Sequence, residues 1–249
     1  MENMTLLKIG CCGFPRGMKH YFTKFRVVEV QKTFYQLPTV ETVEKWRSVA
    51  PMGFEFTVKA WQGVTHPTIS LTYKRFRGKL RGEPGNYGFF QQTDEVLTAW
   101  RMTEKICSTL KAKYVLFQCP ASFKPTDEHL ENITGFFKKV KNPGFCFVWE
   151  PRGKEWTDEK VSEVCKKCDL IHGVDPFDRQ PVTKEVAYFR LHGSPPGKRM
   201  YYYEYTKEDL DKLLEWCEPF KEIYCFFNNM SMYENALQFL KMTSGESMF

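Results

Sequence analysis

The sequence predicts an α/β fold, a (β/α)8 TIM-type barrel of parallel strands formed by one domain over residues 1–249. Three observations carry that prediction. Short apolar runs alternate with amphipathic segments along the whole chain, as βα units do. The apolar runs number about eight, enough to close a barrel. The chain has 249 residues, and one such barrel commonly needs about 250. Hydrophobic residues make up 42% and charged residues 27%, which suits a large core and excludes global disorder.

The elements follow in order. Leu6 to Cys12 reads as the first strand and stops at Gly13; Phe14 to Phe25 after it is aromatic and basic. Val27 to Thr33 is the second strand. Thr39 caps a short helix ending at Val49, with Glu41 in its first turn. Phe54 to Trp61 is the third strand. Gln62 to Gln92 has Pro and Gly but no period, and is expected to be an elaborated loop after the third strand, over one end of the barrel. In it Lys74, Arg75, Arg77, Lys79 and Arg81 interleave with Tyr73, Phe76, Tyr87, Phe89 and Phe90.

Thr93 or Asp94 caps a helix running to about Lys111. Tyr114 to Cys119 is the fourth strand, stopped by Pro120, and Thr126 to Val140 is a helix. Phe145 to Glu150 is the fifth strand, Asp158 to Cys168 a helix, and Leu170 to Val174 a short sixth strand closed by Asp175 and Pro176. Val186 to His192 is the seventh strand. Thr206 to Cys217 is a helix with a capping-box-like start. Glu222 to Asn228 is the eighth strand, and Ser231 to Met242 the last helix.

The net charge of +6 permits anionic partners without requiring them. Met1 to Leu7 is too short and polar for the apolar core of a signal peptide, and no apolar run approaches a membrane span. The expectation is a cytoplasmic protein without membrane contact. Nine cysteines, mostly in apolar runs, read as buried reduced thiols. Cys165 and Cys168 form a C-x-x-C pair, but no second pair follows at zinc-site spacing.

The seventh strand alternates Ala187, Phe189 and Leu191 against Tyr188, Arg190 and His192. A strand covered on both faces would be apolar on both, so one face is expected to open into a polar site. Other strands agree. Glu29 lies in the second, Lys59 and Trp61 close the third, Gln118 ends the fourth, and Glu150 the fifth with Arg152 beyond it. Asn228 and Asn229 end the eighth. Barrel enzymes keep their chemistry at the carboxyl ends of strands. Burying several ions costs several kcal/mol each unless they are paired, so their convergence argues for a pocket.

At these residues the sequence resembles the domain of unknown function 72 family, a TIM-barrel group. The blocks are Lys8-Ile9-Gly10 with Gly13-Phe14; Val28-Glu29-Val30 with Thr33-Phe34-Tyr35 and Leu37-Pro38; and Phe56 to Lys59 with Thr65-His66. Then come Phe117-Gln118 with Pro120, Glu150 with Arg152 and Trp156, Tyr188 to Gly193, and Phe227-Asn228-Asn229 with Asn235-Ala236. They span nearly the whole chain in order. Relative to that pattern, Gln31 replaces an Asn, Lys32 a small residue, Gly153 a His and Met230 an Asp. The resemblance implies a barrel and a pocket, with no assigned reaction.

Three functions compete. The first is a hydrolase-like enzyme acting on a phosphorylated small molecule or nucleic acid. Lys59, Gln118, Arg152, Arg190, Asn228, Asn229, Trp61 and His66 would bind substrate, and Glu29, Glu150 and His192 would serve acid/base chemistry. The basic loop would track a backbone and stack bases. The second is carbohydrate chemistry, with Glu29 and Glu150 as paired carboxylates and Trp61, Tyr35 or Trp156 stacking a sugar. The third is a non-catalytic barrel that binds nucleic acid or a partner protein through the basic loop. A divalent metal on His66, His172 and His192 with Glu29, Glu150 and Asp175 is not favoured, because no ligand spacing supports it. The sequence specifies neither a cofactor nor an oligomeric state.

Overall fold

The computed structural model describes residues 5–140, 144–197 and 199–244. Strands and helices alternate except that two helices follow β2 and none separates β6 from β7: β1 (Leu6–Cys11), α1 (Met18–Lys24), β2 (Val27–Val30), α2 (Lys32–Tyr35), α3 (Val40–Val49), β3 (Glu55–Lys59), α4 (Asp94–Leu110) and β4 (Tyr114–Gln118). There follow α5 (Asp127–Val140), β5 (Cys146–Glu150), α6 (Asp158–Cys168), β6 (Leu170–Val174), β7 (Val186–Leu191), α7 (Lys207–Cys217), β8 (Glu222–Phe227) and α8 (Met232–Ser244). The eight strands form one parallel sheet in the order β1-β8-β7-β6-β5-β4-β3-β2. A parallel bridge from Cys12 to Glu29 joins the two ends of that order. The fold is a (β/α)8 barrel.

Local chemistry explains most boundaries. Thr39, Thr93 and Thr157 each accept a backbone N–H at a helix start. Thr206 and Asp209 complete a reciprocal capping box on α7. Two strands end more than one residue earlier than expected: β3 at Lys59, not Trp61, and β2 at Val30, not Thr33. Gln31 turns into right-handed conformation (φ −84°, ψ −29°) and opens α2. The Thr33 hydroxyl sits 2.8 Å from the Val30 carbonyl and 2.7 Å from that of Lys59, which pulls the chain out of the sheet. Residues 62–92 are irregular apart from two short 3-10 helices, Leu71–Arg75 and Pro84–Asn86.

The chain forms two compact units: Met1–Glu29 with Pro51–Glu55 and His172–Phe249, and Val30–Ala50 with Phe56–Ile171. In the first, β1, β8 and β7 pair in register, so that Cys225 stands between Ile9 and Phe189. Its strands begin on an ionic cluster. Lys8 Nζ donates to Glu55 at 2.9 Å, Glu222 at 2.8 Å and Tyr224 at 2.7 Å. Clusters at the amino ends of barrel strands serve stability. In the second unit, Phe117 packs against Trp100, Phe136, Phe137 and Phe147 with ring centroids 5.2–5.8 Å apart. All nine cysteines are free thiols, and seven are buried. Burial pushes the thiols of Cys11, Cys107, Cys119 and Cys225 up, away from the reactive thiolate. No described helix is long and apolar enough to cross a membrane.

Candidate functional site

In the first unit the polar face of β7 builds a network around Glu29. Alternation puts Tyr188 and Arg190 on one side of the strand, with His192 just past its end. Arg190 Nε and Nη2 each donate to Glu29 at 2.9 Å, a bidentate clasp. The Tyr188 hydroxyl donates to Glu29 Oε2 at 2.8 Å, and the Cys12 thiol to Oε1 at 3.3 Å. Glu29 and Arg190 are both 0% exposed. Arg190 Nη1 reaches His192 Nε2 at 3.1 Å. On its other side His192 meets Asp175 Oδ2 twice, through Nδ1 at 3.3 Å and its backbone N–H at 2.8 Å.

In the second unit a relay runs across three strand ends. Lys59 Nζ donates to Gln118 Oε1 at 2.5 Å, and Gln118 Nε2 donates to Glu150 Oε1 at 2.8 Å. Arg152 closes the chain by pairing with the same Glu150 oxygen. Register explains it, since Gln118 and Glu150 are partners across β4 and β5. The two neighbours fix the amide, oxygen to the cation and nitrogen to the carboxylate. Lys59 is 5% and Glu150 3% exposed, whereas the Arg152 side chain is 29% exposed. Lys59 Nζ also lies 4.0 Å from the centroid of the Phe34 ring.

His66 sits beside that relay. Burial, then the nearby Lys59 charge, pushes its pKa down to about 3, so the ring is neutral. Its Nδ1 lies 2.8 Å from the Thr65 hydroxyl. Trp61 is buried between residues 62–92 and α4, with Phe76 at 5.5 Å and Tyr87 at 6.0 Å. Asn229 Nδ2 donates to Tyr203 O at 2.7 Å and Asn235 Oδ1 at 2.8 Å, tying β8 to the start of α8. The Asn228 backbone N–H donates to Leu191 O at 2.8 Å. His172 Nδ1 accepts the Val182 N–H at 3.2 Å.

Within the first unit the structure brings Glu29, Arg190 and His192 together, and within the second Lys59, Gln118, Glu150 and Arg152. Sequence reasoning passed over Tyr188 and Cys12 as partners of Glu29. Tyr188 carried a signal, its place on the polar face of the strand. Cys12 carried none, because a thiol among apolar residues looks like core.

Several known proteins share this architecture. The family described as "Protein of unknown function DUF72" matches residues 13–247. The UPF0759 protein YunF of Bacillus subtilis is 23% identical, over 91% of this chain and 86% of its own. A DUF72 family protein from Enterococcus faecalis superposes with a TM-score of 0.75 at 19% identity, covering 98% of this chain and 99% of that one. One from Thermotoga maritima gives 0.71 at 25% identity, covering 96% and 99%. A xylose isomerase domain containing protein from Salmonella typhimurium shares the fold, with a TM-score of 0.60 at 12% identity over 98% of this chain and 97% of its own.

Proposed function

Since the chain belongs to the DUF72 family of proteins of unknown function, its chemistry must be argued from its own side chains, and we propose a hydrolase-like enzyme that acts on a phosphorylated substrate. The substrate class is a phosphorylated small molecule or nucleic acid. The site is the carboxyl end of β3, β4 and β5. The observation that carries this reading is the relay Lys59–Gln118–Glu150–Arg152, built end to end at low exposure and rising to solvent at Arg152.

In this reading Arg152 and Lys59 take the phosphoryl oxygens. A planar guanidinium matches two oxygens at once, and an ammonium adds a compact charge. Glu150 is the proton-transfer group, within reach of any group Arg152 holds. Gln118 is a positioning residue that keeps cation and carboxylate apart by one amide. Glu29 takes a different part from the one its residue type suggests. Both its oxygens are taken by Arg190 and Tyr188, so it holds Arg190 in place. That weighs against the carbohydrate reading, which needs Glu29 as one of two carboxylates open to a sugar. Arg190 and Asp175 in turn orient His192.

The test uses the full chain with p-nitrophenyl phosphate and bis(p-nitrophenyl) phosphate, with and without divalent ions. Glu150→Gln is expected to abolish turnover while phosphate still binds. Arg152→Ala, at a half-exposed position, is expected to fold normally and raise KM about tenfold or more. Phosphate affinity that ignores Arg152→Ala, together with no turnover of either ester, would remove this reading.

A further inference from the structure

Lys59 and Trp61 stand two residues apart and meet different surroundings. Lys59 reaches Gln118 in the relay. Trp61 lies against α4, where its backbone N–H donates to Thr103 at 3.3 Å. The indole lines an open cleft of about 420 Å³ in the second unit, together with Phe76, Tyr87 and Met102. Lys79 and Arg81 stand at the same cleft, both exposed. Small-molecule sites usually fall between about 300 and 1,000 Å³, mostly apolar with a few polar groups.

A second observation is independent of the cleft's shape. Trp61 is 5% exposed, and its indole N–H has no hydrogen-bond partner among the described residues. Buried donors are nearly always satisfied, because a desolvated N–H without an acceptor destabilises the fold. Phe in its place would fill most of the volume without that penalty. An orphaned donor on a residue that lines a cleft therefore points to an acceptor supplied from the cleft, reached when the indole shifts, since the nitrogen itself is covered in the free protein. The cations add the sign. No carboxylate pairs with Lys79 or Arg81 among the described residues. Lys79 and Arg81 thus face whatever enters.

From the unpartnered indole, the aromatic walls and the basic rim we propose that this cleft is a further binding site, for a planar aromatic ligand carrying a phosphate. The ring system lies among Trp61, Phe76 and Tyr87. The phosphate meets Lys79 and Arg81, and an acceptor on the ligand takes the Trp61 N–H. The site is distinct from the relay and stands whether or not the relay hydrolyses anything.

Isothermal titration of the full chain with 1-naphthyl phosphate tests it, with 1-naphthol and inorganic phosphate as the two halves of the probe. Naphthyl phosphate is expected to bind at least about tenfold more tightly than either half. Lys79→Ala with Arg81→Ala, both on the surface, should weaken it about tenfold and flatten its salt dependence. Trp61→Phe should weaken it severalfold while lowering the melting temperature of the free protein only slightly, a split that a purely structural tryptophan would not give. Arg152→Ala should remove only a second binding event at the relay and leave the affinity of the cleft event unchanged. The site is overturned if the probe does not bind or if Lys79→Ala with Arg81→Ala binds normally. It is equally overturned if Arg152→Ala abolishes binding, which would put the probe at the relay. Failure of the hydrolase reading shows instead in ester turnover, which none of the cleft variants should touch.

Discussion

Arg190 donates from Nη1 to Nε2 of His192 at 3.1 Å, two positions along the chain. A guanidinium has no acceptor, so Nε2 must offer its lone pair and the ring proton belongs on Nδ1. There it faces Asp175 Oδ2 at 3.3 Å. Nitrogen-15 spectra of the imidazole should therefore show the neutral Nδ1–H tautomer at neutral pH. Asp175→Asn should shift the ring resonances. A spectrum of the Nε2–H form would contradict the hydrogen-bond assignment from which the orientation of His192 follows.

Glu29 and Arg190 are the pair on which the first unit's network depends. Both are fully buried, so removing one leaves the other's charge without its partner in low dielectric. Such single changes cost about 3–5 kcal/mol, whereas replacing both by apolar residues of similar volume is often near neutral. Glu29→Gln should lower the unfolding free energy, measured by urea titration, by an amount in that range. Glu29→Leu with Arg190→Met should recover much of the loss. Additive losses in the double variant would show that the two side chains do not act as a pair.

The legibility of this chain divides along physical lines. Strand and helix spans followed from periodicity because burial imposes it, and Thr39, Thr93 and Thr206 marked three helix starts to within a residue. The seventh strand's polar face was readable because alternation puts Tyr188, Arg190 and His192 together whatever the tertiary structure. The end of β2 was not. Thr33 leaves the sheet to bond the carbonyls of Val30 and Lys59, and the second of these is 26 positions away. Networks were the least readable of all. Gln118 and Glu150 meet through strand register, and no sequence pattern distinguishes an amide that bridges Lys59 to Glu150 from one that faces water. Trp61 gave away its aromatic character but not its unpartnered nitrogen.

His66 makes stability depend on pH in a defined window. Its folded pKa is about 3 against 6.5 for the free side chain. Above 6.5 both folded and unfolded states hold a neutral ring, and its burial carries no protonation penalty. As pH falls below 6.5 the unfolded chain takes up a proton that the folded chain refuses, so stability drops. The loss is at most about 1.4 kcal/mol per pH unit for this one group. Urea unfolding at pH 7, 6 and 5 should show the wild type losing ground to His66→Gln as pH falls. Parallel curves for the two proteins would mean that the buried ring does not exclude the proton.

Gly193 follows His192 at a position no other residue fits. Its φ is +109°, a conformation that L side chains rarely adopt, and an added Cβ would fall 1.8 Å from the Met200 carbonyl oxygen. That neighbour is backbone and cannot swing aside. The Gly193 N–H meanwhile donates to the Tyr205 hydroxyl at 2.8 Å, so the segment has little room to slide. Gly193→Ala should therefore combine backbone strain with a steric clash, for a loss of roughly 3 kcal/mol or more. Gly17→Ala is the matched control. It also has positive φ, at +80°, but nothing lies within 4 Å of the added carbon. Only the conformational cost applies there, about 1–3 kcal/mol. Because Gly193 is bonded to His192, amide shifts in the Gly193→Ala variant should extend to Asp175 and Tyr205 as well as Met200. If both alanines cost the same in urea unfolding, the close approach of Met200 contributes nothing, and the loop after β7 does not hold His192 by contact.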